Sequence, residues 1–301
     1  GDDSLQHYLH GGTGHAAGRA AMTLQLLGID FTSAPRRAKP ITVACGHLDG
    51  ARVVLDCFER CADWPSFEAL LARPGPWLGA FDFPFGLPRA AVVDLGWPQT
   101  WAALVRHCTA LGKPAFRTAL DTYRESRPAG RRYAHRATDL PARSHSPLKL
   151  VNPPVGLMFL EGAPRLLAAG VHVPGMHDGD AQRVAIEAYP GLLARRITNA
   201  SYKSDERRKQ TMERRVARIS IVSALTAERP AAESNLGTPE LVATPDQRQA
   251  LVDDASGDLL DAALALLQAA TAARQGPPRF GLPDAMDPLE GWIAGCEASS
   301  V

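Results

Sequence analysis

Two short apolar runs each end in an aspartate, and this limits the fold more than any other feature of the chain. They are Leu24-Gln25-Leu26-Leu27-Gly28-Ile29-Asp30 and Trp77-Leu78-Gly79-Ala80-Phe81-Asp82. Their length and apolar content read as buried strands. A third element, from Gly257 to Leu267, reads as an apolar helix with Asp258 and Asp261 three residues apart near its start. A carboxylate on a nearly all-apolar element costs free energy unless it is paired or binds a cation. If the three elements converge, they form an oxygen-rich site suited to Mg²⁺ or Mn²⁺.

The strands and helices between these elements set the architecture. Ile41–Gly46 and Ala51–Glu59 read as two strands around His47-Leu48-Asp49-Gly50, whose Asp-Gly step is a hairpin signal. With the Asp30 strand they make a three-strand meander. A helix is expected over 64–73, stopped by Pro74-Gly75-Pro76, and a second from Trp101 to Leu111. Residues 155–169 read as helical, and Val184–Pro190 as a strand carrying Glu187. Ser204–Glu228 reads as a long helix with a core stripe at Met212, Val216, Ile219, Val222 and Leu225. Thr244-Pro245-Asp246-Gln247 carries an N-cap followed by proline at the first helical position. The expected fold is α/β and RNase H-like: a mixed five-stranded sheet, three antiparallel strands then parallel ones, flanked by helices.

Composition limits the partners. The chain has 301 residues, 45% of them hydrophobic, enough for one large domain. No apolar run approaches the ~18 residues of a membrane span. The net charge of +1 hides an asymmetry: Lys113–Lys149 holds nine Lys/Arg against three Asp/Glu. This basic stretch, with its Pro, Gly and Ser, reads as an insertion or flexible lid within about 112–180. In it Arg117, Arg124, Arg127, Arg131, Arg132 and Arg136 are interleaved with Phe116, Tyr123 and Tyr133, a mixture that suits phosphate pairing and base stacking. A solvated loop is the plainer alternative. Five cysteines at spacings that match no zinc motif read as reduced thiols of a cytoplasmic protein. Residues 1–21, rich in Gly and His, read as a leader, tag or extension, and 22–301 as one domain.

Each acid has an alternative taken alone. Asp30 or Asp82 could cap the turn that follows its strand, and Asp258 could answer the helix dipole. Asp261 lies a turn further in, flanked by Leu259, Leu260, Ala262 and Ala263, and shares a face with Asp258. Glu187 could be a further metal ligand or an edge charge. Lys203 could contact phosphate or be solvated.

The blocks Gly28-Ile29-Asp30, Asp82-Phe83-Pro84-Phe85-Gly86-Leu87-Pro88, Glu187-Ala188-Tyr189-Pro190 and Asp258-Leu259-Leu260-Asp261-Ala262 resemble those of the domain-of-unknown-function family 429 (DUF429). Its members are regarded as predicted RNase H-like nucleases. The Asp-x-x-Asp-Ala step is also similar to the last helix of Holliday-junction resolvases. That likeness implies a metal role for Asp258 and Asp261. Those resolvases carry Glu where this chain has the shorter Asp82.

The expected function is therefore metal-dependent hydrolysis of nucleic-acid phosphodiesters. Asp30 would bridge two cations, Asp82 and Asp261 would each hold one, and Asp258 would assist. Two rivals remain. One is an actin- or sugar-kinase-like phosphotransferase using Gly28–Ser33 as a phosphate loop, although no second Gly-rich loop is present. The other is a non-catalytic nucleic-acid-binding protein relying on the basic stretch. Oligomeric state is open.

Overall fold

The computed structural model describes residues 22–227 and 236–298, so the reading of 1–21 lies outside the described residues. In chain order the elements are β1 (Gln25–Asp30), β2 (Ile41–Asp49), β3 (Arg52–Cys61), α1 (Trp64–Leu71), β4 (Trp77–Phe81), α2 (Arg89–Asp94), α3 (Trp101–Ser126), α4 (Asp139–Ala142) and α5 (Val155–Ala169). Then follow β5 (Val171–His172), β6 (Asp180–Glu187), α6 (Pro190–Ala194), α7 (Met212–Thr226), β7 (Glu240–Val242), α8 (Pro245–Asp253) and α9 (Asp258–Gln275).

One mixed sheet runs β5-β6-β4-β1-β2-β3-β7. The first three strands are antiparallel neighbours, whereas β4 lies parallel to β1 and β6 parallel to β4. The sheet has seven strands rather than the five expected. The two extra strands, β5 and β7, hold two and three residues at the edges. Segments this short carry no readable alternation.

Side chains alternate across β1. Leu26 faces a core built with α7, α8 and α9, while Leu27 and Ile29 face a second core built with α1, α3 and α5. Gly28 sits opposite α9. A Cβ at this position would run into the carbonyl oxygen of Ala262 and the backbone nitrogen of Leu266. The glycine lets the helix backbone rest directly on the strand, and this brings Asp261 beside the end of β1. Because neither backbone can yield cheaply, Gly28→Ala should destabilise the protein by about 3 kcal/mol, the upper part of the usual overpacking range. Urea denaturation measures this, and a change below about 1 kcal/mol would show that the contact relaxes.

Two expected elements differ. The stretch from 112 is helical as far as Ser126: Gly112 (φ 75°) interrupts α3, and Pro114 lies in the turn that restarts it. Phe116, Leu120 and Tyr123 then point inward. The Gly-Lys-Pro step hid this periodicity. Helix α7 begins at Met212, not Ser204, and its inner face is Ala217, Arg218, Ile221, Val222 and Leu225. Met212, Val216 and Ile219 are exposed, contrary to the expected stripe. The face was misread because it includes a buried arginine: Arg218 donates to the carbonyls of Val252 and Tyr202, both at 2.7 Å.

Candidate functional site

Three carboxylates converge where β1, β4 and α9 meet. Oxygens of Asp30, Asp82 and Asp261 lie within 4.8 Å of one another. Asp30 ends β1, Asp82 directly follows the parallel neighbour β4, and its backbone N–H donates to Ile29 O at 3.0 Å. Parallel pairing places the two strand ends side by side. Asp261 lies in the first turn of α9 and has no exposed surface.

Tyr202 donates its hydroxyl to Asp261 Oδ1 at 2.6 Å, and Lys203 Nζ pairs with Oδ2. Helix α7 holds this Tyr-Lys step from behind, with Arg218 on the carbonyl of Tyr202 and Arg214 on that of Lys203. Sequence reasoning missed Tyr202 and gave the arginines of α7 no task. The one available signal was Tyr202 adjoining Lys203 in an otherwise polar stretch.

Asp258 stands apart from the triad. Its Oδ1 accepts from Lys39 at 2.7 Å, and Lys39 also donates to Asp205 at 2.7 Å. The α9 N-terminus is satisfied instead by Asp254, which accepts from Leu259 N at 2.8 Å.

Glu187 closes β6 beside β4, but both its oxygens are engaged. Arg136 forks onto them at 2.7 and 2.8 Å, and Phe85 N–H adds a third bond at 3.0 Å. Arg136 also reaches Asp139 at 2.9 Å and is 2% exposed. Glu187, expected as a possible ligand, lies outside the set of converging carboxylates, and Arg136, expected as a phosphate contact, pairs with it inside the protein. Their pairing ties the basic segment to the sheet.

The remaining basic residues lie away from the carboxylates. Arg124 donates to Tyr133 at 2.6 Å and pairs with Asp121, and Arg127 donates to Tyr123 at 2.7 Å. None of Arg117, Arg124, Arg127, Arg131 and Arg132 lines the cleft that Asp30 and Asp82 line, whereas Lys203 and Lys39 do. The cleft encloses about 610 Å³.

Burial, then the neighbouring Asp261 charge, push the Asp82 carboxyl from its ordinary 3.8 up to about 7, against the pull of Lys203. The same burial raises Asp30 well above its ordinary value, with Asp261 again the next cause. Like charges this close are unfavourable without a cation. Three hard oxygen donors from three rigid elements, incompletely neutralised by one lysine, fit Mg²⁺ or Mn²⁺.

A carboxyl whose folded pKa is raised contributes stability that is fully present below its unfolded value and is lost as pH rises through about 7. The metal-free triad therefore favours a higher Tm at pH 6 than at pH 8, and Asp82→Asn should flatten that trend. Cation binding releases the protons, so the rise in Tm on adding Mg²⁺ should be larger at pH 8. Thermal scans with and without Mg²⁺ check this. An equal metal-induced shift at both pH values would argue against these carboxyls as ligands.

A family model described as "Protein of unknown function (DUF429)" matches residues 28–284. The chain belongs to the DUF429 family. The match begins at Gly28, the contact that seats α9, and takes in all three converging aspartates of this DUF429 member. Neither the curated proteins nor the solved structures contain a match to the chain. Among the described residues no helix is long and apolar enough to cross a membrane.

Proposed function

We propose that this DUF429 protein is an RNase H-like, Mg²⁺- or Mn²⁺-dependent nuclease that hydrolyses phosphodiester bonds. The convergence of Asp30, Asp82 and Asp261 within 4.8 Å carries the reading. The central strand order β3-β2-β1-β4-β6, with β2 alone antiparallel to its neighbours on both sides, supports the fold assignment.

Asp30, Asp82 and Asp261 would hold the cation, which when bound polarises the phosphate and activates water. Tyr202 and Lys203 fix the orientation of Asp261, so that its carboxylate stays aimed at the centre. Lys203 and Lys39, both on the cleft wall, supply positive charge for the phosphate. Asp258 holds Lys39 in place and acts from outside the triad.

The test is cleavage of labelled single-stranded, duplex, junction and hybrid nucleic acids in Mg²⁺, Mn²⁺ or EDTA. Metal-dependent cutting of any of them is the expected result. No cutting of any substrate, together with saturable ATP binding, would transfer the site to phosphotransfer.

A further inference from the structure

An apolar part of the cleft wall is made by Pro84, Pro153, Pro154, Met158 and Tyr189, among charged neighbours that include Arg136 and Arg195. This wall is braced rather than loose. Arg195 donates to the carbonyls of Ala142 and Arg143 at 2.8 and 3.1 Å, and the Tyr189 hydroxyl donates to Arg143 O at 3.3 Å. The Arg136 fork anchors the start of the same segment to Glu187. The guanidinium of Arg195 lies 5.1 Å from the centre of the Tyr189 ring and donates to its hydroxyl at 3.3 Å.

We infer that this wall is a nucleobase subsite, and that the cleft takes an unpaired nucleotide with its phosphate beside Asp30 and Asp82. The inference rests on the nuclease reading and narrows its substrate to single-stranded nucleic acid. Two features carry it. The 610 Å³ volume lies within the roughly 300–1,000 Å³ of clefts that hold a small ligand, room for a nucleotide or two. A cleft lined by both charged and apolar side chains matches a nucleotide, whose phosphate is charged and whose base presents an apolar face. A strand terminus and a free dinucleotide share this chemistry.

The test is equilibrium binding by fluorescence anisotropy, with Ca²⁺ replacing Mg²⁺ to keep the charge while slowing hydrolysis. The probes are a labelled short single strand and a blunt duplex of equal length, with an unlabelled dinucleotide as competitor. The single strand should bind at least about tenfold tighter than the duplex, and Met158→Glu should weaken it about tenfold, in line with the loss of one base contact. A Tm near that of wild type would confirm that Met158→Glu is folded. Full competition by the dinucleotide would support the subsite and name a small phosphodiester as its source, and competition only by longer strands would support it and name a strand end. Equal or tighter duplex binding, or single-strand binding untouched by Met158→Glu, would overturn the subsite. Metal-dependent duplex cleavage lost in Asp30→Asn would then leave the nuclease reading standing. Conversely, tight single-strand binding without cleavage in Mg²⁺ or Mn²⁺ would support the subsite and remove the nuclease reading.

Discussion

Asp30→Asn should abolish metal-dependent cleavage and leave the fold intact. The substitution keeps the shape of the side chain and removes one of three converging negative charges. Asp30 is the residue of the triad placed on the central strand of the sheet. A carboxylate would offer a cation anionic oxygens, whereas an amide offers one neutral oxygen. Transition-state stabilisation that depends on the cation would fall with it, by a factor of about a thousand or more if the loss reaches about 4 kcal/mol. Stability should move the other way in metal-free buffer. Burial and Asp261 already make the charged Asp30 unfavourable, so the neutral amide relieves repulsion. The paired measurement is single-turnover cleavage and a thermal scan in EDTA. Cleavage at the wild-type rate would remove Asp30 from the centre. A lost rate with an unfolded protein would be uninformative about chemistry, so Asp82→Asn and Asp261→Asn are measured alongside, and activity retained in all three would end the proposal.

Arg136→Ala should cost about 3–5 kcal/mol of stability, the usual loss when one partner of a buried ion pair is removed. The guanidinium bonds Glu187, Asp139 and the carbonyl of Glu290, and hardly any of it meets water. Its removal leaves two buried carboxylates facing each other. Arg136→Lys should recover only part of the loss, because one ammonium cannot fork onto both acids. Chemical denaturation of the two variants distinguishes charge from geometry. A loss under about 1 kcal/mol for Arg136→Ala would mean that water replaces the guanidinium without strain.

The parts of the molecule that were legible in the sequence are those with one dominant local signal. β1 and β4 announce themselves as apolar runs closed by acids, the β2–β3 hairpin by Asp49-Gly50, α8 by an N-cap threonine followed by proline, and α9 by a long run of Leu and Ala. Asp30, Asp82 and Asp261 stood out for the same reason, as acids where acids are expensive. What was not legible depends on partners distant in sequence. Nothing local separates Arg136 from Arg131 or Arg132, yet Arg136 is buried by acids from β6 and from the turn at Asp139. Asp258 and Asp261 share a helix face, yet only one faces the strands, because Lys39 from the β1–β2 loop claims the other. The inner face of α7 was misread where an arginine does the work of a core residue by binding carbonyls. In each case the deciding interaction is a charge pair or a backbone bond, which hydrophobic periodicity does not report.

The seating of α9 on Gly28 also has a bearing on the order of events during synthesis. Asp30 and Asp82 leave the ribosome with the first third of the chain, but Asp261 and the Tyr202–Lys203 pair that orients it come much later. The last helix must dock backbone against backbone before the third carboxylate arrives. A nascent or truncated chain that carries every strand of the sheet but lacks α9 would hold two aspartates and no complete cation cage. The three-carboxylate cage would thus be complete only after residues 258–275 have been made and α9 has docked.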